Sequence, residues 1–261
     1  MKPPPSSPIP ASRHDREIHE NLAAWRGKPA LRSAYRDFHR RLAKHLAAGG
    51  AGVTLEIGSG LGSIKETLPE CVTSDIFPNP WLDRQENAYA LSYENGAVAN
   101  LILFDVWHHL QYPGTALAEF ARVVRPGGRL LIFDPDMSLT GRMLYRAFHH
   151  EPLGWDEPVT WKAPSDFDPV RAPYFAAQAA AHRIFVRDEN SEWQKDWTLA
   201  ALERLVSFAY AASGGYRGPQ LYPPVLAGPI RAVDRLLSFF PGIFSQRLLV
   251  VLERAAGASR I

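Results

Sequence analysis

Three glycines stand one residue apart in VTLEIGSGLGSI, residues 53–64: Gly58, Gly60 and Gly62, with Ser59 between the first two. Glycine admits positive φ and lets another molecule approach bare backbone, so this run at a strand-to-helix turn points to a ligand laid against the main chain. Asp75, in SDI, follows Gly58 by 17 residues, where a carboxylate can accept hydrogen bonds from both hydroxyls of a ribose. Several adenosine-bearing ligands share that ribose, so Asp75 does not choose among them. Glu56, inside EIGSG, does discriminate, because its charge opposes a pyrophosphate and suits a cationic ligand. A second polar group follows: Asp105, His108 and His109 in LILFDVWHHL, then Asp134 and Asp136 in FDPDM. Imidazole can take a proton near neutrality, and adjacent residues diverge in direction, so at most one histidine enters the site: they are read first as structural imidazoles bonded to backbone and second, for His109, as a catalytic base. The two aspartates of FDPDM are read first as loop caps and second as acceptor ligands.

These residues need elements to hold them. Leu31, Tyr35, Phe38, Leu42 and Leu46 recur at helical spacing, with Gly49-Gly50 as the stop. Strand signals follow at 53–57, at CVTSDI (71–76) and at ANLILFDV (99–106), whose near-continuous apolar run suits a central strand covered on both faces. Ser63–Leu68 reads as a short helix ended by Pro69. Gly114–Val124 reads as a helix, broken by Arg125-Pro126-Gly127-Gly128 before the strand RLLIFD, 129–134. Alternating strands and helices over 53–134 predict an α/β fold, doubly wound around a mostly parallel sheet, with ligands outside the carboxyl ends of its strands. Beyond Asp134 the alternation stops, and 140–215 reads as an inserted lid in which only Gly141–Phe148 and Leu199–Ala212 look helical. Its tryptophans, Trp155, Trp161, Trp193 and Trp197, are expected to pack internally, the alternative being an aromatic wall for a ring-bearing acceptor. Ile230–Phe240, with Arg231 and Arg235, is expected to be an amphipathic helix buried against the core, the alternative being rest on a membrane surface. RLLVVLER, 247–254, closes the pattern as a strand.

Composition narrows the function classes. The chain has 261 residues, 46% hydrophobic and 21% charged, with a formal net charge of +2, which favours neither disorder nor a polyanionic partner. Residues 1–50 hold ten Lys and Arg against four Asp and Glu, a surplus read as a solvated helix face, so nucleic acid is not the expected partner. Cys71 is the only cysteine, which excludes a disulfide framework and fits a reducing cytoplasm. Residues 1–12, with five prolines and three serines, are expected to be a disordered tail, 13–50 a helical segment, and 51–261 the main domain. No signal peptide or membrane span is expected, and oligomeric state is not legible.

LEIGSGLG, SDI, LILFDVWHHL and VVRPGGRLLIFDP, in that order over residues 50–136, resemble the class I S-adenosylmethionine-dependent methyltransferases, in particular a broad bacterial group with H-H-L after the fourth strand and R-P-G-G before the fifth. The resemblance implies a Rossmann-like seven-stranded sheet with an antiparallel C-terminal strand, and S-adenosylmethionine as cofactor. It places Gly58, Ser59, Gly60 and Gly62 beneath the methionine and ribose, with Glu56 orienting the loop. It places Asp75 and Ile76 at the ribose and adenosine, and Asn87 and Ala88 of NAYALSY beside the adenine. Asn87 stands where the family usually has aspartate and Ser92 where it has proline. Phe104 and Asp105 fall near the methionine moiety. The implied reaction is methyl transfer to a small-molecule or saccharide-like acceptor, O-methylation favoured. No metal is expected: His149, His150 and Glu151 are neighbours that diverge in direction. The rival readings are a nicotinamide-dependent oxidoreductase and a non-catalytic protein that binds the same sulfonium donor.

Overall fold

A computed structural model describes residues 11–49, 51–149 and 151–256; most of the expected tail, together with Gly50 and His150, lies outside the described residues. Helices α1 (Ala11–Gly27) and α2 (Pro29–Ala43) lead into strand β1 (Val53–Ile57). Then come β2 (Val72–Asp75), β3 (Arg84–Gln85), β4 (Val98–Phe104), α3 (Pro113–Val123), β5 (Val124–Pro135) and α4 (Leu139–Phe148). The chain closes with β6 (Trp197–Leu205), α5 (Phe208–Ala212), α6 (Ala227–Leu237), α7 (Pro241–Phe244) and β7 (Arg247–Arg254). The seven strands form one sheet in the order β3-β2-β1-β4-β5-β7-β6, β7 pairing antiparallel with both β5 and β6. This is the α/β sheet expected from the sequence. No described helix is long and apolar enough to cross a membrane.

The period of two along each central strand divides the core. Leu101 and Leu103 of β4, Leu130 and Ile132 of β5, and Val250 and Leu252 of β7 face α3, packing with Trp107 and Phe120. Ile102 and Phe104, Leu131 and Phe133, and Leu249 and Val251 face α2, packing with Leu31, Tyr35 and Phe38. Every residue of β4 is buried, as its continuous apolar run requires of a strand covered on both faces. Leu31 and Leu42 are fully buried, which makes α2 a structural layer of the domain rather than an appendage.

Three expectations are corrected. Leu199–Ala212 is not helical throughout: its first part is β6, paired with β7 from Trp197↔Arg254 to Leu205↔Arg247, and only Phe208–Ala212 is helix. Cross-strand pairing overrides the helix preference of its Ala, Leu and Glu residues. Arg125-Pro126-Gly127-Gly128 does not separate helix from strand but forms a bulge inside β5, where Val98↔Val124 is followed by Asn100↔Arg129. Helix α6 buries Ala227 and packs Ile230 but leaves Val233 and Leu236 exposed, as are Phe239 and Phe240 just beyond its end, while Asp234 turns inward and accepts from the backbone N–H groups of Phe208 and Ala209 at 3.0 and 3.1 Å. The tryptophans serve mainly as packing, Trp193 and Trp197 being buried in the α3-side core. Trp155 instead lies beneath the guanidinium groups of Arg142 and Arg187.

Candidate functional site

The carboxyl ends of β1, β2 and β4 hold the glycine loop. Gly58 has φ +69°, and a Cβ there would lie 2.3 Å from Val106 Cγ2, so the position requires glycine for conformation and for space. Gly60 has φ +52° and nothing within 4 Å of a Cβ, so its Cα faces open space. The loop is tied to β2 through Ser59 N–H, which donates to Ser74 O at 2.8 Å, and through Gly60 N–H, which donates to Asp75 Oδ2 at 3.1 Å. Asn79 Nδ2 and Trp81 Nε1 both donate to Gly60 O, at 2.9 and 3.2 Å. Sequence reasoning missed these two residues; a tryptophan in an otherwise polar loop was the available signal.

Glu56 lies beneath the loop, 3% exposed, and its Oε2 is buried without a hydrogen-bond partner. Burial, reinforced by the nearby charge of Asp75, pushes its carboxyl up to about 7. Ile76 is half exposed at the end of β2. Asn87 and Ala88 follow β3; Asn87 Oδ1 accepts from Tyr89 N at 3.0 Å and Nδ2 donates to Pro169 O at 2.9 Å, so its amide already closes a local turn. Phe104 is stacked between Phe133 and Tyr35, at ring separations of 4.7 and 5.2 Å, on the α2 side of the sheet.

Because β7 runs against β5, its first residue reaches this rim. Arg247 Nη2 donates to Asp105 Oδ1 at 2.5 Å. Its guanidinium, 3% exposed, lies 4.6 Å from the Phe133 ring and 5.6 Å from Tyr210. Asp105 itself has φ +57°. Nothing in the sequence linked Arg247 to Asp105, 142 residues apart.

On the α3 side the period of two carries Asp134 beyond Leu130 and Ile132 to meet His108, whose Nδ1 lies 2.9 Å from Asp134 Oδ1. His109 Nδ1 lies 2.9 Å from Phe175 O. Both Nε2 atoms turn toward Glu151, at 3.6 Å for His108 and 4.0 Å for His109. Burial opposes protonation of His108, but Asp134 and Glu151 override it and push it up to about 10. Burial and the His108 cation push His109 down to about 4. Glu151, although largely buried, is held well below the usual carboxylate range by His108, His109 and Tyr174. Asp136 is fully buried apart from this group, bonded to His182 Nδ1 at 2.6 Å and Arg204 Nε at 2.8 Å, which makes it a structural carboxylate. The structure thus brings His109 together with Glu151, a residue considered in the sequence only beside its neighbours.

The donor-side rim presents Glu56, Asp75 and Asp105 around the glycine loop. With Asp105 already paired to Arg247, Glu56 and Asp75 are the carboxyls that favour a cationic sulfonium nucleoside over a dinucleotide pyrophosphate. Residues 55–132 match a family described as a methyltransferase domain. No curated relative matches in sequence. Among solved structures, one assigned to a sarcosine dimethylglycine methyltransferase from Galdieria sulphuraria is 9% identical, with a TM-score of 0.52 over 92% of this chain and 98% of that one. Geranyl diphosphate C-methyltransferase from Streptomyces coelicolor is 12% identical, with a TM-score of 0.47 over 85% and 76%. The [4+2]-cyclase SpnF is 12% identical, with a TM-score of 0.48 over 97% and 98%. Residues 55–132 thus match a methyltransferase domain, and the seven strands around them form the mostly parallel sheet that carries it.

Proposed function

We propose that the chain binds S-adenosylmethionine across Glu56, Gly58, Ser59, Gly60, Gly62, Asp75 and Ile76 and methylates an oxygen of a small-molecule or saccharide-like acceptor. The observation that supports the donor half most directly is Glu56 Oε2, a buried carboxylate oxygen lacking a partner beneath a glycine loop open at Gly60. Asp75 stands at the end of β2 to receive the ribose hydroxyls, and Ile76 and Ala88 flank the adenine. Asn87 contributes at that edge only if its turn with Tyr89 opens. Phe104 is the apolar floor of the methionine end, and Asp105 is held beside it by Arg247.

S-adenosylmethionine supplies, when bound, an activated methyl group on a sulfonium. The protein aligns the acceptor oxygen opposite sulfur, so that the new C–O bond forms as the C–S bond breaks and S-adenosylhomocysteine leaves. An alcohol must also lose its proton, and His109 with Glu151 is the polar group placed at the end of β4 to receive it. An oxygen acceptor is favoured because this cluster would have little to do for an amine that arrives deprotonated. Buried, solitary Cys71 is compatible with a reducing compartment, and we place the reaction in the cytoplasm.

Calorimetric titration decides the donor half: S-adenosylhomocysteine binds and NADH does not, whereas the reverse result removes the reading. Mass spectrometry of hydroxyl and amine acceptors incubated with enzyme and donor decides the second half, a 14 Da gain on amines alone overturning the oxygen assignment.

A further inference from the structure

We propose that His108, His109 and Glu151 bind one divalent cation of the zinc, iron(II) or cobalt(II) kind, and that this cation receives an oxygen of the acceptor. The second clause rests on the methyl-transfer reading above and replaces proton uptake by His109 Nε2 with a cation that acidifies the bound acceptor hydroxyl, whose proton then leaves to solvent; the first clause does not rest on it. His108 Nε2 lies 3.6 Å from Glu151 Oε2 and His109 Nε2 lies 4.0 Å from Glu151 Oε1, while the two imidazole centroids are 4.1 Å apart. One nitrogen from each ring and one carboxylate oxygen all lie within 4.8 Å of one another. Hydrogen bonds are shorter than these separations. Donors at about 2.0–2.2 Å from a common ion stand roughly 3–3.5 Å from each other, which small side-chain rotations would reach. His149 Nδ1, 3.7 Å from Glu151 Oε2, stands near enough to become a fourth donor.

The outer sides of the same side chains give an independent argument. His108 Nδ1 faces Asp134 and His109 Nδ1 faces the carbonyl of Phe175, each at 2.9 Å. A carbonyl only accepts, so His109 Nδ1 carries the hydrogen, and the Nε2 of the neutral ring turns a lone pair toward a carboxylate. With His108 deprotonated at Nε2, three donor atoms converge here and a bound cation would satisfy them together. Histidines that ligate metals characteristically fasten their other nitrogen in this way, to a carboxylate or a backbone carbonyl. Glu151 is fastened as well, by Tyr174 Oη and Gln178 Nε2. Imidazole with a single carboxylate selects zinc and its neighbours over magnesium and calcium, and three protein ligands leave a position for an acceptor oxygen. Among the described residues the other cluster of suitable groups is Asp105, His108 and Asp134, in which Asp105 is paired with Arg247 and Asp134 meets His108 on its fastened side.

The test is titration of metal-free, untagged protein with Co(II), followed by visible d–d absorption and by metal analysis after gel filtration. The expected result is one ion per chain, with affinity lowered about 10- to 100-fold in Asp134→Asn and lost in Glu151→Gln and His109→Ala. Acetohydroxamate, a bidentate oxygen probe, should shift the Co(II) bands. Circular dichroism and S-adenosylhomocysteine titration of each variant establish that fold and donor site persist. Loss of donor binding in the wild type would sink the methyl-transfer reading alone. Absence of stoichiometric uptake, or uptake indifferent to Glu151 and His109, would show an ion-pair cluster only and overturn the cation site. Uptake with bands unmoved by acetohydroxamate would overturn the acceptor clause.

We also infer, from an unrelated observation, that α6, α7 and α4 form a surface that rests on an anionic lipid bilayer. Helix α6 turns polar groups inward: Asp234 is buried, and Arg231, turned toward α2, donates to Ser33 Oγ at 2.7 Å, while Val233 and Leu236, and Phe239 and Phe240 just after the helix, are exposed. Ile243 of α7 and Met143 of α4 extend the exposed apolar area, and Thr140 Oγ1 joins the two helices by donating to Ile243 O at 2.9 Å. Such a patch on a monomer marks a docking surface. Its charge selects the occupant: these helices present Arg142, Arg146 and Arg235 at the surface, Arg231 being paired with Asp37 of α2, and their single acid is the buried Asp234. Cationic borders around exposed Phe and Leu match an anionic membrane. Flotation with phosphatidylglycerol-containing vesicles tests this. The wild type should float with them and detach in high salt, and Phe239→Asp/Phe240→Asp should remain free. Equal binding to phosphatidylcholine alone, or a dimer abolished by that double substitution with no flotation, would overturn it.

Discussion

In the proposed donor site Asp75 and Glu56 would face the same ligand, but they respond differently to their surroundings. Asp75 already holds the N–H of Gly60 at the rim, so in Asp75→Ala the loop loses a tether and the ribose loses its acceptor. Calorimetry should show donor binding weakened by about 1–3 kcal/mol, and unchanged affinity in the folded variant would remove Asp75 from the site. Glu56 titrates near 7 because of burial, above the 4.5 of an exposed glutamate. Its contribution to stability is therefore fully present below about 4.5 and is lost as pH rises through about 7, an effect on the order of 3 kcal/mol. A cationic donor favours the ionised form. Donor affinity should accordingly rise about tenfold from about pH 6 to about pH 8, and Glu56→Gln should flatten that profile in the same titration.

The glycine loop makes a sharper prediction at the level of the element. Gly58→Ala adds a methyl group against Val106 as well as an unfavourable φ, so it should lower thermal stability and donor binding together. Gly60→Ala meets open space, so its stability cost should stay near 1 kcal/mol while donor affinity falls further, because the methyl group enters the ligand's position. Differential scanning fluorimetry with calorimetry separates the two outcomes. The strands that carry this loop were legible because β1, β4 and β5 concentrate their apolar residues and end in glycine or aspartate, local signals that survive without tertiary context. Helix α6 and strand β6 were not. In α6 the pattern was read correctly as amphipathic, but periodicity does not reveal which stripe faces inward. In β6 the residues favour helix, and only the partner strand β7, distant in sequence, decides otherwise. The same distance hid Arg247 from Asp105 and Glu151 from His109, whereas Gly58 to Asp75 form one local unit.

At the scale of the whole molecule, the Arg247–Asp105 pair joins the start of the antiparallel strand to the end of the central one. Asp105→Ala leaves a buried guanidinium uncompensated, and urea denaturation should show a loss of about 3 kcal/mol. Adding Arg247→Met should recover much of it, and additivity of the two losses would refute the coupling. The strand order has a kinetic consequence. β6 precedes β7 in the chain by some 40 residues but reaches the sheet only through it, because β7 occupies the place between β5 and β6. Until β7 inserts, β5 has an open edge and Asp105 has no counter-ion. The rim is therefore complete only once β7 is registered against β5, so a chain with that strand unpaired cannot hold its reactants in line.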